Sequence, residues 1–149
     1  MQEPRVLGEG DGSVLEQTLV LIKPDGVRKK VIGNILSRYE QKGMSIVALK
    51  LMQVTQSLAH RHYEEHASKP FFGGLVDFIT SGPIVAMILE APDVIAIVRL
   101  MNGATNGALA QPGTIRGDLS PNFTENVVHA SDSMLNAKRE IGLFFPELG

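Results

Sequence analysis

Apolar and polar positions fall into blocks along this chain, and the period of the blocks changes. Residues 19–22, Leu-Val-Leu-Ile, form an unbroken apolar run with the length and branching of a fully buried strand. Pro24-Asp25-Gly26 predicts a turn that ends it. Apolar residues at 31/32, 35/36 and 39 then recur at helical spacing, and Gly43 predicts the C-cap. Residues 45–52 predict a second strand. A helix begins at Thr55 or Ser57 and runs to about Glu65, followed by a break at Pro70-Phe71-Phe72-Gly73-Gly74. Leu75, Phe78 and Ile79 predict a short helix closed by Ser81-Gly82-Pro83. Residues 84–89 predict a third buried strand, and Asp93 the cap of a helix to about Met101. Residues 102–124 hold four Gly, two Pro and no apolar period, which predicts a long loop of the functional or disordered kind. Val127-Val128 predicts the fourth strand, and residues 134–145 the last helix.

The order β-α-β, extra helices, then β-α-β predicts an α+β protein. Its fold is expected to be the ferredoxin-like (βαββαβ) sandwich, a four-stranded antiparallel sheet with helices packed on it. Residues 1–16 are rich in Gly and Glu and lack a period, so a flexible N-terminal extension is expected there and a single domain over 17–149.

Composition narrows the function classes. The chain is 44% hydrophobic and 20% charged, ordinary for a soluble globular protein. No apolar run approaches the roughly 18–20 residues that span a bilayer, so no membrane association is expected. The first residues carry neither a basic segment nor an apolar core, and no secretory signal is expected. Cysteine is absent, which excludes disulfides and thiol chemistry and argues against a zinc cluster. A cytoplasmic location fits. The formal net charge is −2, from 14 basic and 16 acidic residues. That balance argues against a dedicated nucleic-acid binder, which would usually show a basic stripe.

No Walker loop and no G-x-G-x-x-G occurs. His60, His62 and His66 share one predicted helix with Glu64 and Glu65, and are read as a solvated polar face rather than a metal site. His129 stands where a strand stops and a helix is about to begin, with Ser131, Asp132 and Ser133 as candidate caps. A helix N-terminus favours anions, and neutral imidazole near pH 7 is a competent nucleophile toward a phosphoryl group. Taken alone, a histidine between apolar residues is more often structural. Company elsewhere raises it. Lys23 closes a buried strand. Arg99 lies near a helix end. Arg116 sits between glycines in the long loop, with Thr105 in the same loop. Arginine suits bidentate recognition of phosphate.

Six blocks in order carry a resemblance: Thr18–Val27, Lys69-Pro-Phe-Phe72, Ile79-Thr-Ser-Gly-Pro83, Gly103-Ala-Thr-Asn106, Pro112–Asp118 and Asn126–Ser133. Together they make residues 17–145 resemble nucleoside diphosphate kinase. The resemblance implies a ping-pong enzyme that moves the γ-phosphoryl of a nucleoside triphosphate to a nucleoside diphosphate through a phosphohistidine. His129 matches the phosphorylated histidine and Glu140 the carboxylate that hydrogen-bonds its ring. Ser131 and Tyr63 match hydroxyls beside them. Lys23, Arg99, Thr105 and Arg116 match the phosphate-binding set, and Asn126, with Lys23, the ribose contacts. Phe71 matches the aromatic that stacks on the base, with Leu75 and Phe123 around it. Mg²⁺ is implied as the cofactor, held mainly by the nucleotide phosphates and water rather than by a protein metal site. A homo-oligomer, hexamer or tetramer, is implied too. Ala130, Gly107 and Leu119 depart from the family pattern, which more often has Gly, Pro and an aromatic there. Rival readings are a non-catalytic module that keeps the fold and a nucleic-acid binder.

Overall fold

The computed structural model describes residues 6–7 and 13–148. Its elements in chain order are β1 (Val6–Leu7), β2 (Ser13–Ile22), α1 (Pro24–Arg28), α2 (Ile32–Gln41), β3 (Ser45–Met52), α3 (Gln56–His62), α4 (Phe72–Ile79), β4 (Ile84–Pro92), α5 (Val94–Asn102), α6 (Ile115–Leu119), β5 (Val128–Ala130) and α7 (Met134–Phe144). Single 3-10 turns cover Glu64–His66 and Pro146–Leu148.

β2 pairs antiparallel with both β4 and β5, and β3 pairs antiparallel with β4. The spatial order is therefore β3-β4-β2-β5, the α+β ferredoxin-like sandwich expected from the element order. The alternation of β2 divides the core in two. Val20 and Ile22 face a cluster with Ile35 and Tyr39 of α2 and Val94, Ile95 and Val98 of α5. Leu19 and Leu21 face a cluster with Ala59 of α3, Val76 and Ile79 of α4 and Phe144 of α7. Because both faces of β2 are covered, its apolar run is unbroken rather than alternating.

Several boundaries differ from expectation. The extension over 1–16 lies partly outside the described residues. Where it is described it is strand: Val6 pairs with Val14, while Leu15 and Glu16 pair with Pro92 and Ala91 and lengthen β2 and β4 together. The turn at Pro24-Asp-Gly is the start of α1, with Pro24 at a first-turn position where its missing N–H costs nothing. The break at 70–74 holds the start of α4, because packing of Val76 and Ile79 outweighs two glycines of low helix propensity. Within the loop 102–124, the Thr114 hydroxyl accepts from the Gly117 N–H and starts α6. With Ile115 its one fully buried residue, α6 is too short for a period to register. The helix expected to Glu65 ends at His62 and tightens into the 3-10 turn.

The fourth strand, expected at 127–128, begins one residue later and carries His129 inside it, opposite Leu21 of β2. Val127 is excluded by its left-handed backbone, φ 70°. For a β-branched residue that conformation is strained. Two bonds hold it: the Val127 N–H donates to Asp25 Oδ2 at 3.0 Å and the Val127 carbonyl accepts from the Lys23 N–H at 2.7 Å. Gly26 lets α1 approach this closely, since a Cβ there would lie 2.7 Å from Ile22 Cγ2 and 3.1 Å from Val127 Cγ1. So the first βα junction sets the turn that aims β5.

Candidate active site

α7 begins where the Ser133 hydroxyl accepts from the Asn136 N–H. The helix then brings Glu140 back beside β5. The Glu140 carboxylate oxygens lie 3.2 and 3.1 Å from His129 Nε2. Ser131 Oγ donates to Glu140 Oε1 at 2.6 Å and accepts from the Leu19 N–H at 3.3 Å. Burial would raise the Glu140 carboxyl pKa, but the His129 hydrogen bond and charge, with the Ser131 hydroxyl and His62, hold it down at about 2. An ionised carboxylate only accepts, so it fixes the His129 proton on Nε2 and leaves the lone pair on Nδ1. The ring lines an open cleft of about 500 Å³.

The same cleft is lined by Lys23, Arg99, Thr105, Arg116 and Asn126. Lys23 is buried and its Nζ donates to Asn126 Oδ1 at 2.9 Å. Burial and the nearby Arg116 charge lower its pKa to about 8, against the pull of Asp25. Arg116 spends three of its N–H groups on carbonyls: Nε to Asn126 at 3.0 Å, Nη1 to Gly103 at 2.8 Å and Nη2 to Val128 at 2.6 Å. A guanidinium has five N–H donors, so two stay available to a ligand. Burial presses its pKa downward, which favours an anion beside it. Arg99 and Thr105 are exposed at the cleft wall.

Not every expected residue lines the cleft. Ser131 is fully buried behind Glu140. Tyr63 is half-buried with its ring 4.6 Å from that of His62, and burial raises its hydroxyl pKa to about 12. Phe71 and Phe123 are 51% and 62% exposed, and Leu75 is half-buried; none of the three lines the cleft. Phe123 is tied to it through its carbonyl, which accepts from Asn126 Nδ2 at 3.1 Å.

His62 is a correction. Expected on a solvated face, it is buried, its ring edge-on to His129 at 4.9 Å and to Phe144 at 5.2 Å. The signal was present: His62 follows Leu58 and Ala59 at i+4 and i+3, on the apolar side of α3. Asp25, which holds Val127, and the cleft residues Glu64, Glu65, Asp132, Asn136 and Arg139 were also missed. Nothing in their local pattern marks them. Arg139 is tied to Glu64 Oε1 at 2.8 Å and to the Arg61 carbonyl.

The departures fit their surroundings. Ala130 has an ordinary strand backbone and needs no glycine. Gly107 donates its N–H to the Asn122 carbonyl at 3.2 Å, a bond proline could not make. A Cβ at Gly107 would lie 2.1 Å from Ser120 Oγ.

Comparison with known proteins bears on this geometry. Residues 16–148 match the family described as nucleoside diphosphate kinase. A nucleoside diphosphate kinase of Thermus thermophilus is 60% identical over 131 residues, covering 88% of this chain and 96% of that protein. Another, from Desulforamulus reducens, is 55% identical with 88% of each covered. Among solved structures, the halophilic nucleoside diphosphate kinase of Halobacterium salinarum in complex with CDP superposes with a TM-score of 0.86. It is 49% identical over 87% of each chain. The apo enzyme of Encephalitozoon cuniculi gives 0.85 at 36% identity, over 87% of this chain and 88% of that one.

Proposed function

The chain belongs to the nucleoside diphosphate kinase family, and from that premise we propose that it transfers the γ-phosphoryl of a nucleoside triphosphate to a nucleoside diphosphate by way of phospho-His129. The observation that carries the reading is the Ser131–Glu140–His129 chain, which leaves a lone pair on Nδ1 of a ring lining the same cleft as Lys23, Arg99 and Arg116.

The electrons balance without an added base. The Nδ1 lone pair attacks the γ-phosphorus, the bond to the bridging oxygen breaks, and the electron pair leaves with the nucleoside diphosphate. The proton on Nε2 stays where it is. The ring gains positive charge, and the Glu140 carboxylate, already ionised, lies beside it. The second diphosphate reverses the step. Lys23 and the two remaining donors of Arg116 meet charge developing on the transferred oxygens, with Arg99 and Thr105 on the outer phosphates. Asn126, positioned by Lys23 and the Phe123 carbonyl, takes the ribose hydroxyls. Phe71 stacks on the base with Leu75 and Phe123 around it, a contact that reads a π-face and so discriminates weakly. The CDP bound by the halophilic relative supports the substrate class.

Mg²⁺ would be held mainly by the nucleotide phosphates and water. The carboxylates of Glu64, Glu65 and Asp132 line the cleft, and such oxygen donors fit a hydrated Mg²⁺ through its waters. Such an ion would supply charge neutralisation on the phosphates. Among the described residues no helix is long and apolar enough to cross a membrane; a cytoplasmic setting is part of the proposal. So is a homo-oligomer. Among the described residues β3 pairs with β4 alone, and its exposed Val47, Leu49 and Leu51 are an apolar row that solitary edge strands avoid.

The test is phosphoenzyme formation. With Mg²⁺ and γ-labelled ATP, acid-labile, base-stable label is expected on His129 and passes to GTP when GDP is added. Label elsewhere, or transfer that survives His129→Ala in a folded protein, sinks the reading.

A further inference from the structure

The transfer does not use His62, although its ring packs edge-on against that of His129. It is 6% exposed, and neither ring nitrogen has a hydrogen-bond partner among the described residues. Buried imidazole nitrogens left so are uncommon in folded proteins. Its Nδ1 lies 3.9 Å from Glu140 Oε2, which in turn lies 3.1 Å from His129 Nε2. One ligand atom from each of His62, His129 and Glu140 falls within 4.8 Å of the others.

We propose that His62, His129 and Glu140 form a binding site for a borderline transition-metal dication of the Zn²⁺ class, and that its occupation switches phosphotransfer off by reversing the tautomer of His129. Two imidazole nitrogens and a carboxylate are a donor set that such ions select. Metal–nitrogen bonds of about 2.0–2.1 Å in a tetrahedron place ligand atoms roughly 3.3 Å apart. The 3.1 Å between Glu140 and His129 is close to that, and the His62 nitrogen, 3.9 Å from Glu140 Oε2 and within 4.8 Å of both, has to move inward to complete the set. Ser131, itself held by the Leu19 N–H, grips the carboxylate from behind, as outer partners of metal ligands do. His129 and Glu140 both line the cleft, which leaves an open side for water as fourth ligand. Hard, well-hydrated Mg²⁺ has little affinity for two imidazoles, so the ion that comes with the nucleotide does not compete.

The switch follows from proton bookkeeping. Neutral His129 carries one proton, held on Nε2 by Glu140. A metal on Nε2 takes that nitrogen's lone pair, and the single proton moves to Nδ1. Nδ1 then points an N–H, not a lone pair, at the incoming phosphorus. No proton is lost and nothing is oxidised. This inhibition rests on the proposed role of Nδ1; the binding site does not.

The experiment uses the full chain without nucleotide. Zn²⁺ binding is measured by calorimetry, and Co²⁺ binding by the visible bands of a tetrahedral nitrogen–oxygen site. One ion per chain is expected. His62→Asn should weaken binding at least about tenfold, the loss that removing even an outer-shell partner brings. Should that variant fail to fold, His129→Asn removes a ligand at the open cleft wall. The double variant His60→Asn, His66→Asn removes the histidines flanking His62 outside the site, and should bind as the parent does. Zn²⁺-loaded protein given labelled Mg-ATP should take up no label on His129, and a chelator should restore it. Binding undiminished in the folded His62 or His129 variant, or lost in the double variant, overturns the site. Normal labelling of the loaded protein overturns the switch. Metal-free protein that never takes label removes the phosphotransfer reading and the switch with it, while His62-dependent binding still decides the site.

Discussion

Around His129 the polar atoms hold one another. Arg116 ties three carbonyls, Lys23 ties Asn126, and Glu140 is gripped by Ser131 and the imidazole. Phe71, Leu75 and Phe123 are the opposite: half-buried or exposed, and set by no comparable network. The contrast follows from what each region is proposed to do. Charge developing on a transferred phosphoryl must be met at fixed positions, because donors that reorient during the step lose most of their effect. A base that is only stacked upon needs a surface rather than a register. On that proposal the first region is pre-organised by its hydrogen bonds, and the second would accept any base.

That contrast can be broken by measurement, and the largest effects belong to the rigid region. Glu140→Gln keeps the shape and removes the charge that balances the phosphorylated ring. The labelling rate is expected to fall on the order of 10²-fold, with nucleotide affinity nearly unchanged. A change confined to KM would mean that Glu140 does not act through His129. Arg116→Lys is expected to cost both ways. A single ammonium cannot reach three carbonyls, so stability should drop by about 2–3 kcal/mol in urea titration, and transfer should fall at least tenfold. Full stability in this variant would show the carbonyl network to be incidental.

A smaller effect is read in pH. His62 is buried neutral, with its pKa lowered to about 3 first by desolvation and then by His129. Its unfolded value is near 6.5. Between those two values the unfolded chain binds the proton and the folded chain does not, so stability falls as pH drops from about 6.5 toward 3. Glu140, held at about 2, loses its own contribution only below its unfolded value near 4.5. The two windows overlap from about 4.5 down to 3 and are separate above that. His62→Phe should therefore flatten the stability curve between about pH 6.5 and 4.5, measured by urea midpoints. An unflattened curve would mean that His62 opens to water. On the other flank, the Lys23 pKa near 8 places its charge loss just above neutrality. The value of kcat/KM for nucleotide is expected to fall as pH rises through that point.

The fold and the cationic set were legible because each leaves a local trace. The run 19–22 is buried on both sides and reads as apolar without a gap. Gly103, Gly113 and Gly117 mark the loop that carries Thr105 and Arg116. His129 and Glu140 lie on adjacent elements, and their pairing was implied by the family resemblance, with which a position about two turns into the last helix agrees. What escaped depends on contacts far apart in sequence. Asp25 reads as a turn residue until Val127, 102 positions away, donates its N–H. His62 is different: Leu58 and Ala59 mark its side of α3 as apolar, but His60, Glu64, Glu65 and His66 around it read as a polar face. α6 escaped because five residues cannot show a period of 3.6.

Phe71 gives the smallest and most discriminating test. Its side chain is largely in solvent at 51% exposure, with its ring 5.5 Å from the ring of His66 and 5.6 Å from Lys69 Nζ. Base stacking on an aromatic is worth about 1–3 kcal/mol, and a ring this exposed should sit at the low end. Phe71→Ala is then expected to raise KM about fivefold and to leave kcat nearly alone, since the stack is the same before and during transfer. The rise should be larger for GDP than for CDP, because a purine offers the wider face. Phe71→Tyr should restore both. If Phe71→Ala instead lowered kcat as Arg116→Lys does, the base would be positioning the phosphates. The two regions would then be one.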